Sequence, residues 1–116
     1  MAPILTDGPL AEAYRDHLGR LGEIVTPTIV LYEVYKRLKR ELSEEDAAVV
    51  AAQLLRTRVV ELSPEIALTA ADLSLEHRLA MADAIIYATA RALDATVVTS
   101  DEDFEKLPGV LYLKSE

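Results

Sequence analysis

Apolar positions recur at helical spacing in five stretches of the chain, separated by short β-branched runs. In residues 10–20 the side chains of Leu10, Ala13, Tyr14, His17, Leu18 and Leu21 share one helical face. That stretch follows a turn at Asp7-Gly8-Pro9, and Gly19 and Gly22 fray its end. Residues 24–26 read as a short strand stopped by Pro27. Thr28 is placed to cap a helix running to residue 41 or 42, with Val30, Leu31, Val34, Tyr35, Leu38 and Leu42 as its apolar stripe. Ser43, with Asp46 three residues on, makes a capping box for a helix to about residue 56. Residues 59–62 then read as a strand. Ser63 caps the next helix, which has Pro64 at its first position and ends near His77. The opening residues, MAPILT, carry little pattern.

The most informative stretch is LAMADAIIYATARALDATVVTSDEDF, residues 79–104. From Leu79 to Leu93 the charged residues are Asp83 and Arg91, which predicts a helix apolar nearly all round and therefore buried. A β-branched strand over 96–99 follows, with Asp101 and Asp103 just past its carboxyl end. A short helical turn over 103–107, Pro108-Gly109 and a last strand over 110–113 complete the chain. Helices alternating with short apolar strands predict a single α/β domain, a sandwich with a mostly parallel sheet.

Composition narrows the chemistry. The formal charge of −8 argues against a protein that coats nucleic acid, and the absence of cysteine excludes disulfides and thiolate metal sites. Neither a membrane span nor a signal peptide is read in the sequence, so a soluble, cytoplasmic protein is expected. There is no glycine-rich phosphate loop, no HExxH and no nucleophile elbow, and His17 and His77 fall on unrelated helices.

The acids remain, each with an ordinary explanation beside a chemical one. Steps of about 100° per residue put Glu33 about 130° from the centre of its helix's apolar stripe. There it reads as a solvated side chain with Arg37 one turn away. Asp83 lies in a buried helix, where a charged carboxylate must be paired, hydrogen-bonded or metal-bound; capping the first turn would also account for it. Ser100 and Asp103 form an S-x-x-D cap, which leaves Asp101 unexplained. At the carboxyl edge of a parallel sheet, where ligands bind, clustered carboxylates suit Mg²⁺ or Mn²⁺ and phosphodiester hydrolysis.

Three segments carry a family resemblance: TPTIVLYEVYKRLKR with Glu33, LAMADAIIYATARALDATVVTSDEDF with Asp83, Asp101 and Asp103, and the ending LPGVLYL. On these the chain resembles PIN-domain ribonucleases, in particular the VapC-type toxins of toxin–antitoxin pairs. The resemblance implies a PIN-like three-layer sandwich with strand order 3-2-1-4-5, flanked by helices. It implies RNA cleavage with Mg²⁺ or Mn²⁺ held by Glu33, Asp83 and Asp101, with Asp103 auxiliary. Thr99 would orient the cluster or border the substrate, and Lys36, Arg37, Lys39 and Arg40 are candidate contacts to the RNA backbone. A homodimer and a cognate antitoxin are the implied protein partners.

The sequence departs from the family pattern at its start. The family opens on an apolar strand ending in an acid, whereas Asp7 is followed by Gly8-Pro9 and lies closer to Glu33 than the pattern requires. The expectation is an N-terminally short domain, spanning residues 1–116, that lacks the first, central strand and the first metal-site Asp. The alternative function is then a catalytically inactive PIN-like module acting through protein partners.

Overall fold

The computed structural model describes residues 3–5, 22–99 and 101–112. Its strands are β1 (Pro3–Leu5), β2 (Val25–Pro27), β3 (Arg58–Val60), β4 (Thr96–Thr99) and β5 (Val110–Tyr112). Its helices are α1 (Thr28–Glu41), α2 (Glu44–Leu54), α3 (Pro64–His77) and α4 (Met81–Leu93). The predicted helix over residues 10–20, Asp7 and Ser100 lie outside the described residues.

All ladders among the described residues are parallel. β1 pairs β4, with Pro3 opposite Thr96 and Leu5 opposite Val98; β4 pairs β5, and β2 pairs β3. The ladders form two sheets, β1-β4-β5 and β2-β3. β1 packs beside β2 with no ladder between them among the described residues, so that side by side the strands follow the order 3-2-1-4-5 implied by the resemblance. This corrects the expectation of a missing first strand, because Pro3–Leu5 occupies the central position. Ile4 and Leu5 are buried there, Ile4 completely. A parallel strand buried on both faces has no polar alternation to betray it, and three residues are too few for a pattern.

The helices pack in two pairs, α1 with α2 and α3 with α4. Their starts follow local chemistry. Ser43 accepts the Asp46 backbone N–H at 3.0 Å, and Ser63 accepts that of Ile66 at 3.1 Å, with Pro64 opening the helix behind it. Thr28 does not cap α1 as expected; it is the first helical residue, and Pro27 holds the cap position without a side-chain bond. Pro27 itself ends β2, where its missing N–H closes the ladder.

The apolar α4 is the centre of the core, as its composition predicts, with Ala84 through Ala90 all buried. Tyr87 meets Phe104 edge-to-face with centroids 6.4 Å apart, and Phe104 is itself buried. Beneath β2 and β3 the buried pair Thr26 and Thr57 share a 2.6 Å hydrogen bond, and the Thr57 hydroxyl also reaches the Leu54 carbonyl. Burial of these hydroxyls is thereby compensated.

Candidate metal centre

Two chain reversals bring the acids to one edge. α4 runs antiparallel to β4 and joins it through Asp94 and Ala95. Asp94 adopts a left-handed conformation (φ 53°), and the Ala95 N–H bonds the Ala90 carbonyl at 2.8 Å. The amino end of α4 therefore lies at the carboxyl end of β4. Asp83, the third residue of α4, arrives beside Asp101, two residues past β4. In the other half of the sheet α1 begins directly after β2, which carries Glu33 to the same edge.

The structure gathers Asp83, Asp101 and Asp103 into a group whose carboxylate oxygens, one from each residue, lie within 4.8 Å of one another. Asp83 and Asp101 are half-buried and Asp103 is exposed. The N-terminal dipole of α4 favours negative charge at Asp83. Asp83 does not cap α4 through a side-chain bond from the N-cap position, which is Ala80.

The loop after β4 is built by its own polar atoms. The Thr99 hydroxyl accepts the Asp101 N–H at 3.0 Å, and Asp101 Oδ1 accepts the Asp103 N–H at 2.9 Å. Asp101 is thus the cap of the 3₁₀ turn Glu102–Phe104. This gives Asp101 a structural task that the sequence left open; the expected Ser100 cap lies outside the described residues. An aspartate side chain bonding the backbone N–H two residues on is an ordinary way to build so short a turn. Thr99 is fully buried, and its hydroxyl holds the backbone of Asp101.

Glu33 does not belong to the tight group of three. It lines an adjoining hollow of about 240 Å³ together with Asp83, Lys36, Arg37 and Arg40. Three of the four basic residues of α1 singled out above thus border the acids. Lys39 turns away: it pairs with Glu44 at 3.3 Å and sits 5.3 Å from the Tyr35 ring centroid. The hydrogen bond from Lys39 to Glu44 holds its ammonium pKa above the ordinary lysine value. Arg37 also pairs with Glu41 at 3.8 Å across an exposed helical turn. Tyr32, which sequence reasoning passed over, lines the hollow as well and is 58% exposed. An aromatic residue off the apolar stripe and adjacent to a candidate acid, Glu33, was the available signal.

The donor set suits a hard divalent cation. It offers carboxylate oxygen from three side chains, and Asp101 keeps a second oxygen beyond the one used in its cap. At such separations each pair of like charges repels by about 1 kcal/mol even in water. A bound cation would relieve that repulsion.

Comparison with known proteins agrees with this architecture. The sequence matches the family profile described as PIN domain over residues 2–110. No curated protein matches it significantly. Among solved structures, a toxin–antitoxin complex from Klebsiella pneumoniae contains a similar chain, with a TM-score of 0.76 at 22% identity, covering 94% of this chain and 95% of that one. VapBC2 from Rickettsia felis, solved with a promoter DNA fragment, gives 0.76 at 20% identity over the whole of both chains. Mycobacterium tuberculosis VapC20, described as a toxin cleaving the sarcin–ricin loop, gives 0.72 at 20% identity, covering 93% and 96%. At these identities the likeness is one of fold.

Proposed function

Because this chain belongs to the PIN-domain family, we propose that it is a metal-dependent endoribonuclease, the toxin of a toxin–antitoxin pair. The observation that carries the proposal is the convergence of Asp83, Asp101 and Asp103 at the carboxyl edge of the sheet. Asp83, Asp101 and Asp103 would hold Mg²⁺ or Mn²⁺, with Glu33 facing the same space from α1. Such an ion supplies a water of lowered pKa and neutralises charge on the phosphate oxygens. The chain's own residues orient the site. Thr99 fixes the backbone of Asp101, and Asp101 fixes that of Asp103. Lys36, Arg37 and Arg40 flank the hollow, where cations attract an RNA backbone and hold the scissile phosphate over the acids.

The net charge of −8 fits a protein that engages RNA through a local basic rim, without wrapping it. Exposed apolar side chains on the helices, among them Leu42, Val49, Leu68 and Leu75, support the protein contacts of a homodimer and an antitoxin. Among the described residues no helix is long and apolar enough to cross a membrane. The proposed RNA substrate and antitoxin partner support a cytoplasmic location.

The test is cleavage of a mixed-sequence single-stranded RNA in Mn²⁺ by the chain and by Asp101→Asn. The expected loss in the variant is at least about 100-fold. Equal rates for the two proteins would sink the enzymatic reading. Asn keeps the Oδ1 acceptor of the cap, so the variant retains the turn.

A further inference from the structure

A second hollow lies between α1 and α2. Its walls include Leu31, Tyr32, Tyr35, Lys36 and Leu55, and its surface is almost wholly apolar. Leu55 and Tyr32 are well exposed there, at 61% and 58%, and Tyr35 at 39%. Tyr32 and Lys36 line both this groove and the acidic hollow, so the two spaces share a wall. The shared wall is a structured unit: Lys36 Nζ lies 5.4 Å from the Tyr32 ring centroid and 3.4 Å from its hydroxyl.

An aromatic ring and a cation one helical turn apart match two parts of one nucleotide, the base and its phosphate. We infer that the groove between α1 and α2 is a nucleobase subsite, with Tyr32 the stacking platform for a base that flanks the scissile phosphate. The inference rests on the nuclease reading above and extends it to substrate form. Bases have π-faces of similar character, so stacking on Tyr32 selects an unpaired base and is indifferent to which base it is. A phosphate held by Lys36 on the acidic side places its own base across the shared wall, where apolar Leu31 and Leu55 offer no competing hydrogen bonds. The bordering cations Arg37 and Arg40 oppose the phosphate charge of the nucleotides on either side. A duplex, whose bases are stacked on one another, has none to offer the groove.

The chain contains no tryptophan, so Tyr32→Trp introduces a single tryptophan at the platform, excited apart from the remaining tyrosines. Oligouridylate of ten nucleotides is titrated into that variant without divalent metal, beside an abasic chain of equal length. The expected result is quenching by oligouridylate and none by the abasic chain. In parallel, oligouridylate binding is measured for the chain carrying Asp101→Asn, then with Tyr32→Phe or Tyr32→Leu added. Phe keeps the affinity, and Leu lowers it by about 5- to 100-fold. Tyr32 is exposed, so both variants fold, which circular dichroism checks. Unchanged affinity with Tyr32→Leu, or equal quenching by the abasic chain, overturns the subsite. So does a Tyr32→Leu protein that keeps its RNA affinity but sediments as a smaller species, which would assign the groove to a second copy of the chain. Failure of the nuclease reading looks different: it is the absence of Mn²⁺-dependent cleavage in the parent chain, whatever the fluorescence does.

Discussion

The two ends of the α4–β4 unit solve opposite problems. At the amino end of β4, Tyr87 donates to the Pro108 carbonyl at 2.7 Å, packs edge-to-face against His77, and carries Arg91 6.0 Å from its ring centroid. Burial raises the Tyr87 phenol above its ordinary pKa, more than Arg91 lowers it. Polar groups here are closed against one another around a packed ring. At the carboxyl end, three carboxylates of one sign are brought within 4.8 Å. One end contributes stability and the other spends some of it on a site that a cation would complete. Proteins tolerate such local conflict where function needs it.

Exchanging the readouts between the ends tests that division. Asp101→Asn removes most RNA cleavage but leaves the metal-free denaturation midpoint unchanged or slightly higher, since one repulsive charge is gone. Tyr87→Phe does the reverse: cleavage stays within about 2-fold, while stability falls by about 1 kcal/mol for the lost hydrogen bond. If Tyr87→Phe destroyed activity without loss of stability, the two ends would not be separable.

Thr99→Val sharpens the comparison, because Thr99 is buried yet serves the acidic end through the Asp101 N–H. A valine leaves that donor without its acceptor. Mn²⁺ affinity and cleavage should fall by about 10- to 100-fold, as for other residues that orient metal ligands. Thr99→Ser, which keeps the hydroxyl, should restore most of both.

The smallest effect is in alkali. Tyr87 has a folded-state pKa above the unfolded value of about 10, so the fold prefers the neutral phenol. Its contribution is complete below the unfolded pKa and is lost as pH rises through the folded one. The urea midpoint of the parent chain should therefore drop toward that of Tyr87→Phe above pH of about 10. A gap between the two that stays constant across that range would show that burial leaves the phenol unperturbed.

How legible these features were in the sequence depends on how local their causes are. Ser43 and Ser63 cap their helices because each needs just a hydroxyl and an N–H three residues on, both visible in the chain. The burial of Ala84 through Ala90 follows from a helix with no polar face. β1 was unreadable because three residues become a strand through the β4 ladder beside them. The capping role of Asp101 was missed for a related reason: a bond to the N–H two residues on depends on the turn the backbone takes, which the sequence does not specify. Asp83 and Asp101 meet as the α/β order implies. The separation of Glu33 from the three Asp carboxylates depends on how α1 sits against α4, a packing detail beyond any periodicity.

The two-residue reversal at Asp94 and Ala95 has a consequence for how this protein can change over time. It is the connection that sets the phase of α4 against β4. One residue inserted there would turn the helix by about 100° relative to the strand, or shift the strand's register, and carry Asp83 away from Asp101. Every carboxylate would remain, and the site would be gone. Part of the centre is therefore stored as a chain length, so gaining or losing a residue at this point costs more than exchanging a surface residue. Loss of function by a single-codon insertion would look, in a residue-by-residue comparison, like a protein with its site intact.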